Sequence, residues 1–308
     1  MEKVGASSLR GHHVTVPNTP WSDIGGMEEA KAKLRQAVEW PVANKDAFDR
    51  MGLTPPRGIL LFGPPGCSKT TLVRAAATAA GATFVCLSGA DVFSPYLGEA
   101  EAAVRQAFVL ARNAAPALLF FDEIDAIVCK REGGGKGSSN SAESRVLATF
   151  LTEMDGVGSL RGDNVIVVGA TNRPEAVDRA LLRPGRFDQV VYAPLPVEDA
   201  RRQIFEVHTR NMAMDRENVD FRKLAKVSEG LTGAEIEGVC REAAMSSIRE
   251  AGFGDEGTGG DSGSGGVGGS NKATVTMRHL LAAATVSAAR PGVTKEMIKG
   301  YDRFASGL

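Results

Sequence analysis

The chain has 308 residues, with 36 Lys and Arg against 37 Asp and Glu, and its formal net charge of −1 supplies no global field for nucleic acid or an anionic membrane. This length favours two domains, and 43% hydrophobic with only 6% aromatic residues describes an α/β chain whose core is built from Ala, Val, Leu and Ile, which excludes disorder for the whole. The four cysteines, Cys67, Cys86, Cys129 and Cys240, are too scattered for a disulfide scaffold and form no CxxC pair for zinc, so a reducing compartment is expected. No apolar run approaches the roughly 18 residues of a membrane helix, and Met1 to Val14 lacks the apolar centre of a signal peptide. The expectation is a soluble intracellular protein, cytoplasmic with the nucleus admitted, that meets no membrane.

Residues 1–20 carry two prolines and no sustained periodicity, which fits a tail or the remnant of an interdomain linker from a longer protein. From Trp21 to Pro196, short apolar runs alternate with helical stretches, the pattern of a parallel sheet covered by helices. Five strands are expected: Gly58–Phe62, Thr83–Leu87, Ala117–Phe121, Val165–Gly169 and Val190–Ala193, each continuously apolar as strands buried on both faces must be. Val104, Phe108 and Ala111, and again Val146, Phe150 and Met154, keep the spacing of a helix inner face, so these segments are crossovers. After Pro196 no strand run appears, while Ile204, Val207 and Leu224, then Ile236, Val239, Ala243 and Ser246, keep helical spacing. A small helical domain is therefore expected over 197–308. Within it, residues 252–271 hold ten glycines and little that can be buried, which reads as a flexible insert. Helices from Met277 to Ala289 and from Thr294 to Phe304, separated by Pro291, close the chain.

The strongest chemical signal is GPPGCSKT, directly after the strand GILLF and directly before the Ala-rich helix TLVRAAATAA. A loop of this kind turns backbone N–H groups of Gly63, Pro64, Pro65, Gly66, Cys67, Ser68, Lys69, Thr70 and Thr71, prolines excepted, toward phosphate oxygens at a helix N-terminus. Lys69 then reaches the β- and γ-phosphates of ATP, and the Thr70 hydroxyl ligates Mg²⁺. The usual GxxxxGK[ST] pattern has glycine where this chain has Ser68, and a Cβ there restricts the loop. Cys67, ahead of a helix N-terminus and two residues before Lys69, is a candidate thiol switch or an ordinary small loop residue.

ALLFFDEID is a buried strand ending in acids, where α/β ligands sit; Asp122 would hold Mg²⁺ through water and Glu123 would orient and deprotonate the attacking water. A third strand, VIVVGATNRP, ends in Asn172, a neutral amide suited to hold that water, although Asn before Arg-Pro is also a good turn residue. In LLRPGRFD, Arg183 and Arg186 are either surface charges or cations that stabilise phosphoryl-transfer charge across a subunit boundary.

Taken in order, WSDIGG, GPPGCSKT, PYLGEAE, LLFFDEID, FLTEMDG, ATNRP, LLRPGRFD and LTGAEIEGVCREAA resemble the AAA module of the valosin-containing-protein-like ATPases from about Val16 to Leu308. The Cys-Ser phosphate loop and the SGL ending are similar to the second ATPase module of the ribosome-maturation branch, the diazaborine-resistance ATPases. The resemblance implies a P-loop NTPase core with a five-stranded parallel sheet and a helical lid. It implies that Asp23, Ile24 and Gly25 lie against adenine, that His208 stands near the ribose, and that Gly233 and Ala234 contact the nucleotide from the lid. Tyr96, Leu97 and Gly98 match the channel loop that grips a threaded polypeptide, a task suited to a rigid aromatic because contact by area needs no particular sequence. Cys129–Ser141 would form a second channel loop.

The expected function is ATP hydrolysis by a homohexameric ring that remodels or unfolds a protein substrate, with pre-ribosomal particles among its partners and no direct nucleic-acid contact. The alternative is a ring subunit that binds nucleotide and turns over weakly, for which Ser68 is the support. A nucleic-acid translocase is disfavoured by the charge balance.

Overall fold

The computed structural model of the chain describes residues 13–89, 98–128, 139–157, 164–252 and 273–307. Two compact units emerge. The first joins residues up to Asp23, Met27–Pro194 and Glu296–Leu308; the second joins Ile24–Gly26 and Leu195–Lys295. The main stretch of the second unit begins at Leu195, and residues from Glu296 onward belong to the first.

The first unit is a six-stranded sheet: β1 (His13–Thr15), β2 (Gly58–Phe62), β3 (Thr83–Ser88), β4 (Ala117–Asp122), β5 (Val165–Thr171) and β6 (Phe187–Tyr192), in the order β1-β3-β4-β5-β2-β6. Five strands are parallel, as the apolar runs require. The sixth, β1, lies within the expected tail, and it pairs antiparallel with β3, His13 opposite Cys86 and Thr15 opposite Phe84, and shields that edge. The last strand begins three residues earlier than Val190 because buried Phe187 already pairs with Gly58, through an irregularity between Gly58 and Ile59.

Helices of this unit are α1 (Glu28–Leu34), α2 (Trp40–Ala43), α3 (Lys45–Met51), α4 (Lys69–Ala80), α5 (Glu99–Asn113), α6 (Ile124–Ile127) and α7 (Ser139–Gly156). The inner faces read from spacing are buried: Val104, Phe108 and Ala111 on α5, Val146, Phe150 and Met154 on α7. Phe150 meets Phe121 edge-on at 4.9 Å and Phe108 at 5.7 Å, so truncating Phe150 to Ala should cost roughly 3–5 kcal/mol.

The second unit packs α8 (Glu198–His208), α9 (Phe221–Val227), α10 (Gly233–Glu250) and α11 (Met277–Ala288) around Phe205, Leu224, Ile236, Val239, Ala243 and Leu280. Thr232 and Glu235 form a reciprocal capping box that starts α10. Buried Arg201 donates to the carbonyls of Ala225 at 2.9 Å and Pro196 at 2.8 Å, tying three segments together. Of the expected inner face of α10, Ser246 is half-buried and Ser247 is buried in its place. Apart from Gly252, the glycine-rich segment at 252–271 lies outside the described residues. The chain then closes with α12 (Lys295–Ser306), seated on the first unit. Among the described residues, no helix is long and apolar enough to cross a membrane.

Candidate functional site

The phosphate loop leaves β2 at Phe62. Gly63 has φ of +151°, and a Cβ there would lie 2.1 Å from the carbonyl oxygen of Ala193, so only glycine fits. Ser68, the unusual residue, adopts φ of +52° and ψ of +28°, the left-handed conformation that glycine would supply in the usual pattern, and its hydroxyl does not cap α4. The amides at this helix N-terminus therefore face the loop, the arrangement that receives an anion.

Lys69 is 8% exposed and turns back over the loop. Its Nζ donates to the carbonyls of Gly63 at 2.9 Å and Pro64 at 2.8 Å, and to Asn172 Oδ1 at 2.6 Å. Burial lowers its pKa, while the nearby Cys67, Asp122 and Asp125 oppose that shift. One residue on, the Thr70 hydroxyl donates to Asp122 Oδ2 at 2.8 Å, and Asp122 Oδ1 accepts from the amide of Glu123 at 3.0 Å. Glu123 itself is exposed and holds a left-handed backbone, φ +51°, beyond the end of β4. The strand order explains the convergence. Because β5 lies between β4 and β2, the loop after β2, the acids ending β4 and the amide following β5 share one edge of the sheet.

Sequence reading missed Asp125, whose Oδ1 accepts from the Thr171 hydroxyl at 2.7 Å while Thr171 Oγ1 takes the amide of Arg173. This bridge fixes the turn that carries Asn172, and its signal was the second aspartate of DEID. Cys67 is buried at 1% exposure, and none of the described cysteines is in a disulfide. Burial in the loop argues against the ready alkylation that a thiol switch needs.

Arg183 is exposed and, among the described residues, makes no ion pair. Arg186 differs: it is held within the chain by Asp155 and by the carbonyl of Ala180, 2.7 Å from Nη1. Asp23 ends a short 3-10 turn in the first unit. In the second unit, Ile24 is buried, Gly25 approaches α8 so closely that a Cβ would stand 2.6 Å from the amide nitrogen of Ile204, and Gly26 donates to Gln203 Oε1 at 2.8 Å. His208 ends α8 half-buried; Gly233 is buried and Ala234 exposed at the start of α10. Tyr96, Leu97 and the loop from Cys129 to 138 lie outside the described residues, whereas Gly98, with φ of +90°, opens α5.

A cradle of backbone amides, with a lysine, a hydroxyl and carboxylates gathered on it from three neighbouring parallel strands, defines a P-loop nucleoside-triphosphatase domain. Within that class, residues 59–195 match the model of the ATPase family associated with various cellular activities (AAA), and residues 218–254 match the AAA+ lid domain. The chain belongs to the AAA ATPases, with an AAA lid. It is 52% identical over 247 residues to cell division control protein 48 homolog B of Arabidopsis thaliana, covering 80% of this chain and 40% of the relative. It is 46% identical to ATPase family gene 2 protein homolog A of Homo sapiens over 81% of this chain and 27% of the relative, and 41% identical to the cell division cycle protein 48 homolog of Archaeoglobus fulgidus over 99% and 40%. The chain thus spans well under half the length of these relatives.

Proposed function

We propose that the chain hydrolyses ATP as part of a hexameric ring and spends the stroke on remodelling a protein substrate. The observation that carries this reading is the meeting of Lys69 with Asn172 and of Thr70 with Asp122 on one sheet edge. In this reading the loop amides and Lys69 hold the β- and γ-phosphates. Glu123 takes the proton of the attacking water, and the Asn172 amide holds that water without adding charge. The hydroxyl–carboxylate pair of Thr70 and Asp122 offers the hard oxygen donors Mg²⁺ selects. When bound, Mg²⁺ neutralises charge on the phosphate oxygens.

Arg183 and Arg186 would serve a neighbouring subunit's nucleotide. On the family resemblance, Asp23, Ile24 and Gly25 would lie against adenine, His208 near the ribose, and Gly233 and Ala234 against the nucleotide. Tyr96, Leu97 and Gly98 would grip the threaded chain, and pre-ribosomal particles are the proposed substrate class, on the likeness of the Cys-Ser loop and SGL ending to the ribosome-maturation branch. Ser68 leaves the contacts of Lys69 and Thr70 intact, which favours turnover over a weakly active ring subunit.

The test is phosphate release from ATP with Mg²⁺, alongside the mass of the assembly measured by light scattering. Turnover that is lost in Lys69→Ala, in a six-subunit particle, supports the reading; a monomer with no turnover at any protein concentration overturns it. Tyr96→Ala should keep ATPase activity and lose unfolding of a tagged reporter protein.

A further inference from the structure

We propose that Tyr301, on the last helix α12, is a positioning residue for Asn172: its hydroxyl holds the Asn172 backbone and so aims the amide presented beside Lys69. This rests on the reading of Asn172 as the group that holds the attacking water.

The geometry is a relay of two hydrogen bonds over three elements. The Tyr301 hydroxyl donates to the backbone carbonyl of Asn172 at 2.6 Å, and Asn172 Oδ1 accepts from Lys69 Nζ at 2.6 Å. Pairing of β5 ends at Thr171, so the Asn172 carbonyl takes its hydrogen bond from Tyr301 rather than from a sheet ladder. A peptide at a strand end can rotate unless something outside the strand holds it, and rotating it swings the side chain.

The hydroxyl is fixed in turn by how its ring is seated. Tyr301 is 6% exposed and stacks on Tyr192 at 6.4 Å; Tyr192 stacks on Phe62 at 5.0 Å, and Phe304 meets Phe62 edge-on at 5.0 Å. Phe62 is the residue immediately before Gly63, whose carbonyl holds Lys69. The helix is therefore packed against the root of the phosphate loop and hydrogen-bonded to the turn facing it. Burial raises the phenol's pKa, helped by Glu175, Cys67 and Asp125, so Tyr301 stays protonated and able to donate throughout the neutral range. Asn172 and Tyr301 are 129 residues apart, and no local pattern links them.

Steady-state ATPase kinetics of the full chain test the inference. Tyr301→Phe keeps the ring stack and removes only the hydroxyl; kcat should fall about tenfold, with KM and nucleotide affinity changed less than about twofold, as expected when only alignment is lost. Asn172→Ala should fall further, and the double variant should be no slower than Asn172→Ala alone, because Tyr301 acts through that residue. Tyr192→Phe is the comparator, since it removes the 3.3 Å hydrogen bond to Asp302 on the same helix without touching Asn172; parental kcat is expected. Parental kcat in Tyr301→Phe, multiplicative losses in the double variant, or an equal loss in Tyr192→Phe would each overturn the proposal. An unchanged kcat in Asn172→Ala would overturn the reading of Asn172 and the proposal together, whereas a slow Asn172→Ala beside an unaffected Tyr301→Phe overturns the proposal alone.

Discussion

Arg186 grips Asp155 with both arms of its guanidinium, Nε to Oδ1 at 2.8 Å and Nη2 to Oδ2 at 2.9 Å, across 31 residues of sequence. The two arginines of LLRPGRFD, which look equivalent on paper, are therefore in different states: Arg183 extends into solvent while Arg186 is oriented by a carboxylate at the end of α7. A planar fork on a carboxylate holds one geometry, and orientation of this kind suits a cation that must meet a phosphate supplied from outside the subunit.

Arg183→Ala and Arg186→Ala should each lower turnover at least about tenfold while leaving nucleotide binding intact, and the defect should act in trans. Mixing either variant with Lys69→Ala subunits should recover activity at mixed interfaces, read as phosphate release against mixing ratio. Absence of recovery at every ratio, with assembly verified, would refute shared sites. Asp155→Asn should cost under about 1 kcal/mol at neutral pH, because Asp155 is 56% exposed. The hydrogen bond from Arg186 holds the Asp155 carboxyl below its ordinary value of 3.8. A depressed carboxylate stabilises the fold above 3.8 and loses that contribution as pH falls through its folded-state value, so the difference between parent and variant should narrow as pH falls below 3.8. Denaturant titrations at pH 7 and below pH 3 measure it.

Glu123→Gln should bind ATP and hydrolyse it at least about a hundredfold more slowly, since the change removes the proton acceptor and leaves the loop, Lys69 and Asp122 untouched. Fluorescent-nucleotide binding and phosphate release, measured on the same preparation, separate the two. Near-parental turnover would remove Glu123 from its role.

Ser68→Gly should raise stability by about 0.5–1 kcal/mol, because a left-handed conformation strains any residue with a Cβ by more than glycine's added chain entropy costs. A β-branched residue there, as in Ser68→Val, should lower it by more than about 1 kcal/mol. Thermal unfolding of the nucleotide-free protein distinguishes these, and a higher melting temperature for the valine variant would contradict the conformation.

Among the described cysteines, Cys86 should react first with a thiol alkylator. It is partly exposed, Cys67 is buried, and burial pushes the Cys240 thiol up to about 12, where almost no thiolate exists at neutral pH. Mass mapping of a brief alkylation checks the order. Labelling of Cys67 ahead of Cys86, with turnover lost in step, would restore the loop thiol as a switch.

Those features that depend on neighbours in the chain were legible without coordinates. The phosphate loop, the five parallel strands and the inner faces of α5 and α7 are written in runs and spacings of a dozen residues or fewer, because backbone period and burial act at that range. The candidate site residues Lys69, Thr70, Asp122, Glu123 and Asn172 were visible for the same reason: each ends or follows a strand whose apolar run announces it. What the tertiary structure decided lies at longer range. His13–Thr15 becomes a strand because β3 has an edge to cover, and three residues are too few to show a period. Ile24–Gly26 joins the helical unit because its glycines let the chain lie against Ile204 and Ala200, a closeness that a turn signal alone does not reveal. Asp155 finds Arg186, and Tyr301 finds Asn172, only once sheet order and helix packing bring their faces together. Side-chain partners far apart in sequence are chosen by shape and by the need to satisfy buried polar groups, and neither is a property of a short segment of chain.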